Sequence, residues 1–294
     1  MLETVAALSM QPAQIVIVDS SEDSQTSRMC EAGIAGLRSP LRWCPAIIKG
    51  AAAQRNQGVN QVTEPFVWFI DDDIRLEPEC LAKLYQVLVA DAKLAGVNAM
   101  IVNQRYQTPG RMSRSMFALM QGRFEASFAG KVIGPAVNLL PEDREDLPEI
   151  APVQWLNTTC TMYRREALPD PPFDPFFTGY SLMEDLALSL SVAERGWKLA
   201  NVRTARIFHD SQPGAHKADV KELARMELVN RHYIMTQIMR RTSATDYARL
   251  AAFQFFNLAT GFRDWRNWPK VVAGKIAGAR EILRRRKSSR KRLL

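Results

Sequence analysis

Residues Phe66-Val-Trp-Phe-Ile-Asp-Asp-Asp-Ile74 form a short apolar run that closes on three consecutive carboxylates. A run of this length, rich in aromatic and β-branched residues, suits a buried strand. Asp71, Asp72 and Asp73 then fall where that strand leaves the core. Three like charges so close repel one another, which calls for a cation to offset them. Hard oxygen ligands facing solvent suit Mg²⁺ or Mn²⁺ carrying phosphate oxygens. The plainer alternative is an acidic turn ahead of a helix opened by Pro78, with the aspartates near its positive end. The run alone leaves both open.

Upstream, Leu2 to Leu8 has helical spacing, and Gln14 to Val18 is a strand ending at Asp19. Helices follow over Thr26 to Ala35 and Ala51 to Gln61. Downstream, Glu79 to Ala90 is amphipathic and Gly96 to Val102 is strand-like. Alternation of this kind predicts an α/β fold with a mostly parallel central sheet flanked by helices. In such sheets ligands collect at the carboxyl ends of strands, where Asp19 and Asp71 both sit. Gln104 to Pro152 is less regular and reads as an excursion with an acidic surface loop, Pro141 to Glu149. Val153 to Arg165 resumes strand character, and Phe173 to Tyr180 is an aromatic loop. Met183 to Arg195 is a helix stopped by Gly196. Two short strands, Trp197 to Val202 and Ala205 to Phe208, lead to His209, and Val220 to Arg241 is a long helical stretch.

With 294 residues, 47% of them hydrophobic, the chain buries a sizeable core and is not disordered. Its net charge of +8 belongs to the tail: Arg284 to Arg292 holds seven basic residues and no acid. Taking those seven from 39 leaves 32 basic against 31 acidic residues. Such a tail suits anionic lipid, nucleic acid or plain solvation. The body lacks the interleaved basic and aromatic residues of a nucleic-acid surface, so nucleic acid is not an expected partner. Four scattered cysteines without a CxxC pair read as reduced thiols of a cytoplasmic protein. The nearest approach to a membrane segment is Leu250 to Phe262, interrupted by Gln254 and Asn257. It reads equally as a core helix or as an interfacial helix beside the basic tail.

Five features in order resemble glycosyltransferase family 2, inverting nucleotide-sugar-dependent enzymes of the GT-A fold. They are the strand and turn QIVIVDSSED at Gln14 to Asp23, Gln54-Arg-Asn-Gln-Gly58, and FIDDDIRLEPE at Phe69 to Glu79. Phe173-Asp-Pro-Phe-Phe followed by Met183-Glu-Asp-Leu comes next, and last the strand ending in His209. The resemblance implies a GT-A domain over residues 1–240, without the family's usual first strand, and a helical, basic C-terminal extension over 241–294.

Carried over residue by residue, the resemblance gives Asp71 and Asp72 nucleotide-sugar contacts and Asp73 the metal. His209 completes a Mn²⁺ or Mg²⁺ site, or else it is a strand-end histidine paired with Asp210. Asp185 is the general base and Glu184 orients the acceptor; without the family both are simply acids at a helix start. Asp19 accepts from the nucleotide base and Arg55 lies beside base or phosphate, against plainer readings as a turn aspartate and a surface arginine. Trp155 and Asn157 line the acceptor side, unless Trp155 is core. Arg231 and His232 reach a phosphate or are solvated. The implied function is transfer of a sugar from a nucleotide-sugar donor to a glycan or lipid-linked acceptor. That reading puts the enzyme in cell-envelope polysaccharide synthesis, in the cytoplasm at the inner face of the membrane. The alternative is a GT-A-shaped nucleotide-binding or scaffold protein without transfer activity.

Overall fold

The computed structural model describes residues 1–104, 106–211 and 219–291, with side chains to Lys287. The last basic residue of the tail run, Arg292, lies outside them. In chain order the elements begin with α1 (Leu2–Ala6), β1 (Ile15–Asp19), α2 (Gln25–Ala32), β2 (Leu41–Pro45) and α3 (Ala51–Val59). Next come β3 (Phe66–Ile70), β4 (Ile74–Leu76), α4 (Cys80–Ala90), β5 (Leu94–Ile101) and α5 (Arg111–Gln121). Then follow β6 (Val132–Ile133), β7 (Val137–Asn138), β8 (Ile150–Val153), β9 (Cys160–Arg164), α6 (Glu184–Glu194) and β10 (Lys198–His209). Helices α7 (Val220–Tyr233), α8 (Ala244–Gly261) and α9 (Trp268–Lys291) close the chain. The chain divides into two compact units. The first comprises Met1–Gln107, Ala129–Lys131 and Leu139–Gln212; the second comprises Thr108–Phe128, Val132–Asn138 and Pro213–Leu294.

The first unit is built on a six-stranded sheet of order β3-β9-β5-β10-β4, with β8 also on β10. The sheet is mixed: β5 and β10 pair in parallel, while β9 enters antiparallel between β3 and β5. The apolar run of β9 is sequence-distant from its partners, so alternation of strands and helices did not reveal its direction. Strands β3, β5 and β10 therefore share a direction, and their carboxyl ends meet at one edge. All eight residues of β5 are buried. Inside that core Asn201 Nδ2 donates to Asn98 Oδ1 at 2.9 Å, directly across the β5–β10 register. A buried amide pair of this kind penalises any register slip that would leave it unpaired. A separate parallel pair, β1–β2, carries Asp19 at its end.

The two short strands expected after Trp197 are one twelve-residue strand, β10, with a register shift between Val202 and Arg206. At that irregularity Arg203 and Arg206 both reach Asp143, at 3.3 and 3.1 Å, and so pin the acidic loop 141–149 to the sheet.

In the second unit, α5 is a helix where the sequence pattern showed none. It buries Ala118 and Met120 and closes on Gly122 in the left-handed conformation. Helix α7 runs on into a π-helical turn over Ile234–Ile238. Glu227 on α7 is buried between Arg231 and Lys275 of α9, which hold its carboxyl down to about 2 against the cost of burial.

Gly96 in β5 has no room for a side chain, because a Cβ there would lie 2.6 Å from the buried Tyr163 ring and 3.1 Å from Leu156. Gly96→Ala should lower the free energy of unfolding by about 1–3 kcal/mol, through overpacking. Urea unfolding of the purified variant measures this.

Candidate active site

The shared carboxyl edge of β3, β5 and β10 collects the acidic triplet. Ile70 ends β3 and Asp71 follows, its N–H donating to Thr159 O at 3.0 Å. The chain then turns through Asp72 and Asp73 into β4, which pairs antiparallel with the last residues of β10, Ile74 opposite His209. That register sets Asp73 against His209: Asp210 N donates to Asp73 O at 2.8 Å, and the His209 ring reaches Asp73 Oδ1 at 3.1 Å. Asp71, Asp73 and His209 each offer one ligand atom, and these atoms lie within 4.8 Å of one another. All three side chains are partly exposed, so a hydrated ion has access. Two carboxylates and an imidazole are a donor set that fits a divalent first-row cation. Asp72, between the two aspartates of that trio, is exposed and not part of it.

Helix α3 assembles the rest. Its motif Gln54-Arg-Asn-Gln divides the work residue by residue. Gln54 Nε2 donates to Val18 O at 2.8 Å and so holds β1. Asn56 exchanges two hydrogen bonds with the backbone of Phe173, at 2.7 and 2.9 Å, and so holds the aromatic loop. Gln57 Nε2 reaches Pro45 O at the end of β2. Between these, Arg55 donates to Asp71 Oδ1 at 2.8 Å and to Glu184 Oε1 at 2.6 Å, its guanidinium 5.5 Å from the Phe173 ring centroid. Burial works against this charge, but Asp71 and Glu184 outweigh it and hold the arginine charged.

Glu184 and Asp185 open α6. Burial, then the neighbouring Asp185, pushes the Glu184 carboxyl up, with Arg55 pulling the other way. Burial also pushes Asp185 up, to about 6, against the Leu186 N–H that donates to its Oδ1 at 2.7 Å. Tyr180 belongs to the same field: burial and then Glu184, Asp71, Asp185 and Asp73 raise its phenol. In the sequence Tyr180 is only the end of the aromatic loop, and its signal is a polar aromatic just ahead of the acidic pair.

The other expected residues make contacts of their own. Asp19 is held by Ser21 N (2.8 Å), Ser21 Oγ (2.7 Å) and the Trp43 indole (3.2 Å). Burial raises its pKa, and these hydrogen bonds outweigh it and keep the group below its usual range. Trp155 is buried, with its indole N–H on Leu139 O at 2.8 Å. The Asn157 side-chain oxygen is buried and has no hydrogen-bond partner among the described residues. Arg231 is a buried member of the second unit, on Glu227 and the Ala136 carbonyl, and His232 beside it is lowered by burial and Arg286. Asn103 and Gln104, which follow β5, touch His209 and were not singled out in the sequence.

A family model described as "Glycosyl transferase family 2" matches residues 1–170. Among solved structures, the mannosyltransferase PcManGT from Pyrobaculum calidifontis, in complex with GDP-Man and Mn²⁺, matches with a TM-score of 0.53 at 16% identity. That match covers 95% of this chain and 81% of the other. Glucosyl-3-phosphoglycerate synthase from Mycobacterium tuberculosis, in complex with phosphoglyceric acid, gives a TM-score of 0.49 at 15% identity over 78% of this chain and 74% of that one. At 16% identity the mannosyltransferase likeness shows a shared fold. No curated protein matches the sequence.

Arg55→Met leaves the buried Glu184 without its counter-charge and the partly exposed Asp71 without its partner, a loss of about 3–5 kcal/mol for a broken buried pair. Burial already pushes Glu184 up, to about 8, and losing the arginine raises it further, so the extra loss opens as pH climbs through about 8 and is absent where the group is protonated in both proteins. Thermal melts of the variant and the native chain at pH 9 and pH 6 should show the larger gap at pH 9.

Proposed function

The chain belongs to glycosyl transferase family 2, and we propose that this glycosyltransferase moves a sugar from a nucleoside-diphosphate donor to a hydroxyl acceptor with inversion. The observation that supports the reading is the joining, through Arg55, of a carboxylate of the acidic edge to the acid pair of α6. Donor activation and acceptor deprotonation need those two places side by side. Residues 1–240 carry the chemistry, since the site residues lie between Asp19 and His209.

Asp71, Asp73 and His209 would hold Mn²⁺ or Mg²⁺; the imidazole nitrogen favours Mn²⁺ over the harder Mg²⁺. Such an ion, when bound, neutralises charge developing on the leaving diphosphate. Asp72, exposed in the same turn, meets the ribose or phosphates of the donor. Asp19, kept ionised by its hydrogen bonds, accepts from the nucleotide base. Asp185 takes the proton from the acceptor hydroxyl as that oxygen attacks the anomeric carbon opposite the diphosphate. Glu184 and Arg55 act as positioning residues: Glu184 fixes the start of α6, and Arg55 spends its charge on the two carboxylates rather than on the donor. Asn157, with its buried oxygen unpartnered, offers an acceptor for a sugar hydroxyl, and Trp155 supports it from the core.

We also assign the acceptor to a lipid-linked or envelope glycan approached from an anionic membrane surface. No helix among the described residues is long and apolar enough to cross a membrane. Phe255 on α8, and Phe262 and Trp265 just after it, are, however, 74%, 61% and 66% exposed, with Arg263 and Arg266 beside them. Exposed aromatics flanked by arginines suit a headgroup layer.

Purified protein with Mn²⁺ and a panel of nucleotide sugars should release nucleoside diphosphate, and a chain inert on the whole panel would contradict an active transferase. Asp185→Asn should cost about 10²–10⁴-fold in kcat, the usual worth of a general base, and Asp73→Ala a comparable factor, both with native circular dichroism. With Asp185 pushed up to about 6 and needed ionised, kcat/KM should fall as pH drops through about 6. Deleting residues from Arg284 onward should release the protein from phosphatidylserine vesicles at moderate salt; undiminished binding would refute the role given to the tail.

A further inference from the structure

Helix α5 turns apolar side chains outward. Its inner side is occupied: Ala118 and Met120 are buried, and Phe117 meets Phe128 edge-on at 5.5 Å between ring centroids. Met112 and Leu119 are exposed, two turns apart and on one side of the helix, and Phe124, just past its end, is 79% exposed. At the closing Gly122 a Cβ would lie 3.3 Å from Arg249 Nη2, so the end of α5 rests on α8.

Helix α8 has the same character. Between Asp246 and Gly261 its exposed positions are Ala248, Ala251, Phe255 and Ala259, with no charged or hydrogen-bonding side chain among them. A helix that faces water puts polar residues there. Single exposed apolar residues need no explanation, but two packed helices that both expose them define a patch.

The charge around this patch selects its partner. By sequence the second unit holds 22 basic and 7 acidic residues, which leaves 17 basic and 24 acidic for the first out of totals of 39 and 31. Without the seven basic residues of the tail the second unit still holds 15 against 7, so the near-neutral body is an average of two opposite charges. A second copy docked through the same face would bring two positive units together. A nucleic-acid duplex presents phosphates but leaves exposed alanine and phenylalanine in water. An anionic lipid surface supplies both negative headgroups for the basic residues and an apolar layer for the side chains.

We propose that α5 and α8 form one lipid-docking face, in which Met112, Leu119 and Phe124 enter the interface of an anionic membrane beside Phe255. The inference rests on the membrane approach proposed above and extends it from α8 and the tail to the body of the second unit.

The test is sedimentation of the full chain with vesicles of phosphatidylcholine alone and with phosphatidylserine added. Met112→Ser/Leu119→Ser/Phe124→Ser should lower the partition onto the anionic vesicles about 10–100-fold, at an unchanged melting temperature. Met112→Leu/Phe124→Leu, which keeps the face apolar, should bind as the native chain does. Native-level binding by the serine variant overturns the inference and leaves the membrane reading to α8 and the tail. Equal binding of the native chain to both kinds of vesicle overturns it as a face for anionic lipid. A native dimer that the serine variant splits, by light scattering, overturns it by making the face a contact between copies. Failure of the native chain to bind either vesicle overturns the membrane reading and the inference together.

Discussion

A single buried guanidinium holds the site together. The buried acids Glu184 and Asp185 converge on the partly exposed Asp71, and without a counter-charge their repulsion and the desolvation of the α6 pair would drive α6 away from the sheet. Arg55 prevents this from a helix whose neighbouring residues are equally committed. Gln54 holds β1, Asn56 holds the aromatic loop, and Gln57 holds the end of β2. Arg55 therefore cannot drift without undoing contacts on either side of it. The fork geometry of arginine matters here, since a lysine could not bond two separate carboxylates in fixed directions.

The path into α6 is strained, and the strain is local to the site. Ser181 and Met183 adopt left-handed backbone conformations, at φ 57° and 74°, although neither is glycine. Each such residue costs on the order of 1–3 kcal/mol. The compensation is visible: Ser181 is buried, its hydroxyl accepts from Ala52 N at 3.3 Å and donates to Gly179 O at 3.1 Å. Gly50 passes so close to Gly179 that a Cβ would sit 2.9 Å from its carbonyl oxygen. The loop is thus held to the start of α3 by backbone contact, and it delivers Glu184 and Asp185 to a position that a relaxed loop would not hold.

The second unit is stabilised by a different device. Helices α7 and α9 approach where Gly274 and Gly278 leave no side chain between them, and a Cβ at Gly278 would lie 3.0 Å from Arg225 O. Close backbone approach brings Lys275 onto the buried Glu227, which Arg231 also holds. Arg231 was a candidate phosphate ligand from the sequence; here its guanidinium is engaged inside its own unit, on Glu227 and the Ala136 carbonyl.

Local pattern was enough to reveal the strand Phe66 to Ile70 with its acidic exit, the helices on either side, and the Gln54-Arg-Asn-Gln motif as something more than surface. These are short-range properties: an apolar run bounded by charge, or a helical period, is written in neighbouring residues. The direction of β9, the fusion of two short strands into β10, and the helix α5 were not legible, because each depends on partners far along the chain. So did the meaning of Arg55. Its residue type announced a cation near phosphate or base, whereas the fold places Asp71 and Glu184, 16 and 129 residues away, within its reach. Asn103 and Gln104 carried no motif at all, and only the parallel register of β5 with β10 sets them against His209. Sequence alone determined which groups could do chemistry; tertiary structure decided which of them meet, because charge pairing across such separations is set by strand register and helix packing rather than by any local preference.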